Sequence, residues 1–412
     1  MTPPFTTRPE LRGTFGAVSS THWLATAAGM AMLERGGNAF DAAVATGFVL
    51  QIVEPHLNGP GGEVPIILQR AGRERPEVIA AQGPFPAAAH AARLRSMGLH
   101  QMPGTGLLPA VVPGAFDGWM LLLRDYGTLS LREVLAPAIG YAERGFPLVP
   151  RIVGTIIPAV DWFKTEWPSS GAVWLVNGRP PHPEKAWRTP AIAETYRRIL
   201  AEAESAGADR VAQIEAARRA FYKGFVAEAV DNFFRKELRD STGRRHAGLL
   251  TGDDLARYSA TIEAPLAVDY HGVRVHKLGP WTQGIVGLQT LELLKGHDIA
   301  ALDPVGAPFI HLVVEALKLA FADRETVYGA PEACESPVER LLSQDYAKAQ
   351  RRRIGPSASL TLEPGGFPGA AERMRRVLAQ AGVETPVGPG GGEPTFAPLP
   401  PEWGDTCHLD CV

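Results

Sequence analysis

A pair of alanine-rich stretches, parted by a double glycine, limits what this chain can fold into more than any other feature. Residues 24–35 carry Leu, Ala and Met at helical spacing, and Gly36-Gly37-Asn38 supplies the stop. Residues 41–53 read as a second helix, very rich in Ala and Val. Side chains this small bury useful surface only where backbones come close, so the pair should pack tightly against another helix or a sheet. A turn cluster follows at His56, Gly59, Gly61 and Gly62. Residues 64–70 and 78–81 then read as strands, joined through Arg73, Arg75 and Pro76.

Further along, Val112-Pro113-Gly114 stands ahead of a helix over 115–124, and a helix over 131–144 is closed by Gly145. Residues 191–257 are mainly helical, with helices over 192–208, 211–220 and 225–236. Thr251 is the N-cap of a further short helix, with Asp254 in the reciprocal position of a capping box. Strands over 266–270 and 273–278 flank a tight turn at His271-Gly272. Helices follow over 285–294 and, long and amphipathic, over 309–327. After about residue 382 the composition shifts to Pro and Gly. Residues 383–403 hold little to bury and read as a flexible tether. The sequence shows no internal repeat of fixed period.

With 412 residues, 45% of them hydrophobic, the chain can bury a large core. A net charge of −3 and short basic runs, such as Arg351-Arg352-Arg353, argue against a nucleic-acid partner. The longest apolar stretch, 42–53, is too short and too mixed to span a bilayer. The first residues lack a basic run followed by an apolar one. The expectation is a soluble cytoplasmic protein with no membrane partner. The cysteines, Cys334, Cys407 and Cys411, are too few and odd in number for a disulfide framework.

Near the end stands Gly404-Asp405-Thr406-Cys407-His408. A threonine hydroxyl becomes a usable nucleophile once the peptide bond before it is cut, because the freed α-amine can serve as its base. The alternative is an ordinary threonine in an Asp-Thr turn, and these residues alone do not choose between the two. Cys407, His408, Asp410 and Cys411 are metal-ligand types. They are crowded together and lack the paired spacing of a structural zinc site, so no metal is expected.

Several pieces together resemble the gamma-glutamyltransferase family (gamma-glutamyl transpeptidases, or glutathione hydrolases). They are residues 25–29, 36–45, 54–56 and 59–62, then Pro103 to Gly106 with Val112-Pro113-Gly114 and 126–129. Further pieces are 251–255 running into 270–275, 311–318 followed by Ala320 to Arg324, and Asp405 to His408. The resemblance implies an α/β fold, the αββα sandwich of the N-terminal-nucleophile hydrolases. It implies autocatalytic cleavage between Asp405 and Thr406, leaving Thr406 as the catalytic nucleophile. Residues 1–405 would then be the large-subunit part of one αββα domain, and 406–412 the start of a small subunit. The sandwich would be incomplete here because most of the small subunit is missing, and this chain alone would be inactive. The activity implied is an amide hydrolase or acyl transferase on gamma-glutamyl compounds such as glutathione, with no cofactor. Its partners would be the small-molecule substrate and its own small subunit. The alternative is a related acylase or amidohydrolase on another small amide, or an inactive fragment with a scaffold role.

In that family an arginine soon after the early strands grips the substrate α-carboxylate, a task suited to a bidentate guanidinium. The matching neighbourhood runs from Gln82 to Arg95, and Arg93 is the substrate-binding candidate, with Arg95 and His90 behind it. Other residues take plainer readings. His56 is a structural histidine of its loop. The glycines at 59, 61 and 62 lack the Lys-Ser/Thr of a phosphate loop. His311, Glu315 and Lys318 share a helical face with Glu315 paired to Lys318, and Asp323 pairs with Arg324. Trp162, Trp167 and Trp174 are core or surface anchors.

Overall fold

In the computed structural model, residues 12–99, 102–183, 185–329 and 336–381 are described. Asp405, Thr406, the three cysteines and the segment 383–403 lie outside them. The chain begins with α1 (Trp23–Glu34), α2 (Ala39–Val53), β1 (Ile66–Leu68), β2 (Glu77–Ala80), α3 (Ala91–Ser96), α4 (Ala115–Tyr126) and α5 (Leu131–Arg144). It continues through β3 (Phe146–Pro147), α6 (Pro150–Thr165), α7 (Pro168–Trp174), β4 (Ala186–Trp187), α8 (Pro190–Ser205), α9 (Arg210–Tyr222) and α10 (Phe225–Phe234). Then come β5 (Leu238–Arg239), β6 (Arg245–His246), α11 (Gly252–Arg257), β7 (Thr261–Glu263), β8 (Leu266–Tyr270) and β9 (Val273–Lys277). The last described elements are α12 (Gly284–Leu294), α13 (Ala307–Val327), α14 (Val338–Leu341), α15 (Gln344–Arg351) and α16 (Ala370–Ala381). Strands β1, β2 and β7 form a sheet in the order β1-β2-β7, while β3-β4, β5-β6 and β8-β9 are two-stranded. The described residues divide into two compact units, one within 12–64 and 79–261, the other within 65–78 and 262–381.

The first unit is built on the small-residue pair. A Cβ on Gly29 of α1 would lie 2.2 Å from Thr46 Oγ1 and 3.1 Å from the Ala42 carbonyl of α2, so glycine sets the approach of the two helices. The linker works as the residues require. Gly36 sits at φ +89°, a left-handed position that favours glycine after a helix. Asn38 then caps α2 and shares a capping box with Asp41. Asp41 is fully buried. Its carboxylate also accepts from the Thr128 and Leu129 N–H groups at 2.9 and 3.0 Å and from the Thr128 hydroxyl at 2.8 Å. One short side chain therefore ties the start of α2 to the α4–α5 connection. Phe48 of α2 meets Phe116 of α4 and Tyr196 of α8 edge-on, at ring distances of 5.9 and 5.5 Å. Phe116 stacks in turn on Phe221 of α9 at 4.5 Å.

A buried ion pair binds α9 to α4. Asp117 accepts from Arg218 Nε and Nη2 at 2.5 and 3.0 Å, and from the Ala260 N–H at 2.7 Å. Such a carboxylate survives burial because its acceptor sites are filled. Trp167 is buried, Trp162 meets it edge-on, and Trp174 stacks on Trp187. The tryptophans are thus anchors for α6, α7 and β4.

In the second unit, β8 and β9 pair from Leu266↔Lys277 to Tyr270↔Val273. The turn between them has positive φ at both His271 (46°) and Gly272 (83°), the pattern of a tight two-residue hairpin. Glu315 pairs with Lys318 at 2.6 Å as expected, and His311 Nε2 lies 2.9 Å from the Gly355 carbonyl oxygen. The expected Asp323–Arg324 pair does not form. Neighbouring helical residues point about 100° apart. Asp323 turns inward and accepts from Tyr346 OH at 2.6 Å, the Gly365 N–H at 2.7 Å and Gln289, while Arg324 turns outward to Glu325 and Gln283. Burial, reinforced by the negative charge of Asp323, pushes the hydroxyls of Tyr346 and Tyr328 well above the usual tyrosine range.

Candidate functional site

Three of the segments singled out by sequence meet in the first unit, and they meet backbone to backbone. The first is the turn after α2, where the Gly62 N–H donates to the Gly59 carbonyl at 3.1 Å. The second is the stretch leaving β2, Ala81 to Pro84. The third is Val112-Pro113-Gly114 at the start of α4. The Gly62 carbonyl accepts from both Gly114 and Ala115 N–H groups at 2.9 Å, so it fills the place of the side-chain cap that α4 lacks. Val64 N–H donates to Ala81 O at 3.0 Å, and Val112 N–H to Pro84 O at 3.0 Å.

The glycines here are required by space. A Cβ on Gly83 would fall 1.6 Å from the Val112 carbonyl oxygen, and one on Gly114 would fall 2.3 Å from that of Ala81. The crossing leaves some polar side chains in place around it. Tyr222 OH donates to Pro113 O at 2.7 Å and accepts from the Asp117 N–H at 3.1 Å. Tyr258 OH lies 2.8 Å from where a Gly114 Cβ would be, buried and with no hydrogen-bond partner among the described residues. Burial, reinforced by the Asp117 and Glu63 carboxylates, holds its proton on well above the usual tyrosine range. Gln82 is exposed beside the crossing.

The segment carrying the arginine candidate continues from there. The Ala87 N–H donates to Asp254 Oδ1 at 3.0 Å, joining this stretch to α11. His90 caps α3, its Nδ1 accepting the Arg93 N–H at 3.3 Å. His90 is therefore occupied as a cap. Arg93 and Arg95 are exposed on α3, and the Arg93 side chain has no partner among the described residues. His56 is buried, as expected of a structural histidine, and burial lowers its basicity against the opposing pull of Glu54. Among the described residues, no group of three or more His, Cys, Asp and Glu side chains is placed to hold a metal ion. No described helix is long and apolar enough to cross a membrane. Asp405 and Thr406, the expected cleavage pair, lie outside the described residues.

Tyr258, Tyr222 and Gly83 were not singled out from the sequence. Each matters through a partner distant in the chain, and no local pattern marks it. The chemistry on display is a crowded backbone crossing with an exposed amide, Gln82, and the hydroxyls of Tyr222 and Tyr258 beside it and, further along the same segment, the exposed guanidinium groups of Arg93 and Arg95.

Comparison with known proteins defines the class. The profile of the Gamma-glutamyltranspeptidase family matches residues 25–387. The chain is 31% identical to the glutathione hydrolase-like YwrD proenzyme of Bacillus subtilis over 83% of its own length and 61% of that protein's. It is 33% identical to the acylase ACY 1 proenzyme of a Pseudomonas species over 83% of its own length and 59% of that protein's. Solved structures of LmbA2991 superpose with a TM-score of 0.85 at 51% identity, over 89% of this chain and 62% of theirs. The gamma-glutamyltranspeptidase of Helicobacter pylori superposes with a TM-score of 0.76 at 26% identity, over 87% of this chain and 97% of that one. The fold is therefore the α/β fold of the N-terminal-nucleophile hydrolases, in its transpeptidase and acylase branch. The chain belongs to the gamma-glutamyltranspeptidase family, and it spans about three fifths of the length of the curated relatives it matches.

Proposed function

We propose that the protein to which this chain belongs is an amide hydrolase and acyl transferase of the gamma-glutamyl type, matured by cleavage before Thr406. The observation that carries this is the family match over residues 25–387, with a glutathione hydrolase-like proenzyme among the relatives. In this scheme the Thr406 hydroxyl adds to the Asp405 carbonyl, the peptide C–N bond breaks, and the acyl group rests on the threonine oxygen as an ester. Water cleaves the ester, leaving the Asp405 carboxylate and a free Thr406 amine. Thr406 Oγ1 then attacks the γ-amide carbonyl of a glutathione-like substrate. Its own amine takes the hydroxyl proton and passes it to the leaving amine. Water or an amino acid accepts the acyl group and restores the hydroxyl. Arg93 is the candidate to hold the substrate carboxylate. The scheme uses no metal or organic cofactor.

A second reading, an acylase on another small amide, is favoured by one particular finding. The acylase ACY 1 proenzyme resembles this chain as closely as the glutathione hydrolase-like relative does.

The longest natural product of the gene separates these readings. Mass spectrometry should show two chains parted before Thr406, and one intact chain in Thr406→Ala. Turnover of a gamma-glutamyl anilide above that of glutaryl and oxamate amides supports the first reading, and the reverse order supports the second. A well-folded wild-type product that stays in one piece defeats both. The chain ending at Val412 should show no gamma-glutamyl anilide turnover above background.

A further inference from the structure

His22 is a helix cap made by an imidazole. The side chain is buried, with 3% of its surface exposed. Its Nδ1 accepts the Leu24 N–H at 3.1 Å, which supplies one of the orphan N–H groups at the start of α1 with a partner. A ring accepting through Nδ1 carries its proton on Nε2. That Nε2 is buried and finds no hydrogen-bond partner among the described residues. Next to it, the Thr21 hydroxyl donates to Glu54 Oε2, which places the carboxylate within the electrostatic reach of the ring.

We infer that His22 is a pH-operated latch between the start of α1 and the exit of α2: neutral, it caps Leu24; protonated, it gives up that bond and pairs with Glu54. A second proton can go only to Nδ1. It turns the sole acceptor of the ring into a donor aimed at another N–H, at the positive end of a helix. The same proton creates a cation for which Glu54 is the neighbouring anion. The charged and titratable groups facing this site are Glu54 at the end of α2, His56 in the following turn and, acting on His56, Arg151 at the start of α6. Burial keeps His22 less basic than an ordinary histidine, and Glu54 opposes that. The closed form is therefore held at neutral pH and released on acidification. The Glu54 carbonyl accepts from the Leu57 and Asn58 N–H groups, and the next turn, Gly59 to Gly62, holds the first N–H groups of α4, so the latch comes just before the backbone crossing along the chain.

The test is hydrogen exchange of the full chain followed from about pH 7.5 to 5, with rates corrected for the intrinsic effect of pH. Protection of the Leu24 amide should fall by about tenfold per pH unit below the titration midpoint of His22, while core amides of α5 hold theirs. In His22→Asn, whose side-chain oxygen caps but takes no proton, Leu24 protection should stay level. Glu54→Gln should move the midpoint to lower pH, because the anion favouring the charged ring is gone. Level protection in the wild type, or an equal fall in His22→Asn, overturns the latch. If His22→Asn does not fold, NMR titration of the wild-type imidazole decides. A ring that gains its proton while Leu24 protection is unchanged also overturns it.

Discussion

Gly83 shows how much a single missing atom can govern. Any Cβ there would sit 1.6 Å from the Val112 carbonyl oxygen, and that obstacle is backbone that has no rotamer to yield. Gly83→Ala should therefore cost about 3 kcal/mol or more in urea unfolding, at the upper end of overpacking effects. Gly61 stands in the same crossing with nothing within 4 Å of its would-be Cβ, and Gly61→Ala should fall within about 0.5 kcal/mol of the parent. Equal costs for the two would mean that the backbone crossing does not constrain this site. Side chains with nearby partners could be read from the sequence. The Thr251–Asp254 capping box and the Glu315–Lys318 pair both form, because three-residue spacing on a helix brings groups together whatever the rest of the chain does. Asp323 and Arg324 went the other way. Adjacency in sequence suggested a pair, but helical geometry parts them, and burial of the carboxylate against Tyr346 and Gly365 decided its partners.

Among the elements, α4 and α9 are held by charge as well as by rings. Glu215 accepts from Arg124 at 2.5 Å and Arg218 at 2.8 Å. Burial works against its charge, but the two guanidinium groups outweigh that and hold its carboxyl below the usual glutamate value of 4.5. A carboxylate with a lowered folded-state value binds its proton sooner in the unfolded chain. Its contribution is therefore complete above about pH 4.5 and lost as pH falls through the lower folded value. Glu215→Gln should destabilise by about 0.5–1 kcal/mol at neutral pH, a modest figure because the pair is partly solvated. It should also flatten the acid side of the stability curve. A variant with the same pH slope as the parent would show that Glu215 has no part in it. Other elements resisted reading. α6 and α7 have no capping side chain at their starts, and α6 carries Pro158 in its interior, so their local signals are weak. Burial of Ile152, Ile156, Ala159 and Phe163 makes α6 a helix. The strand expected over 64–70 is shorter, Ile66–Leu68, with the Val64 N–H donating to Ala81 O just ahead of it.

At the scale of the whole molecule, α13 carries an exposed apolar pair. Ile310 and Val314, one turn apart on α13, are 51% and 45% exposed. Little packing is lost if they become polar. Ile310→Gln with Val314→Gln should leave thermal stability of this chain within about 0.5 kcal/mol while raising its solubility. A large loss of stability would show that this face is covered. Much of the architecture was legible beforehand. The order of helices and strands follows from glycine positions and hydrophobic spacing, which are properties of short stretches, and the family resemblance rests on short motifs in the same order along the chain. The site was legible only in part. His90 was one of three candidates for the carboxylate, and its use as the cap of α3 is visible only in the fold. Arg93 and Arg95 share one exposed helix, so local pattern could not rank them. The sequence by itself determined the glycine stop after α1, the capped start of α11 and the tight β8–β9 turn. Each of these depends on residues within a few positions of one another. Tertiary structure alone decided that Gly62, Ala81 and Gly114 share one crossing, that Asp117 finds Arg218, and that Asp323 faces inward. These contacts join residues tens of positions apart, and only the burial of a common core brings such distant groups within bonding range.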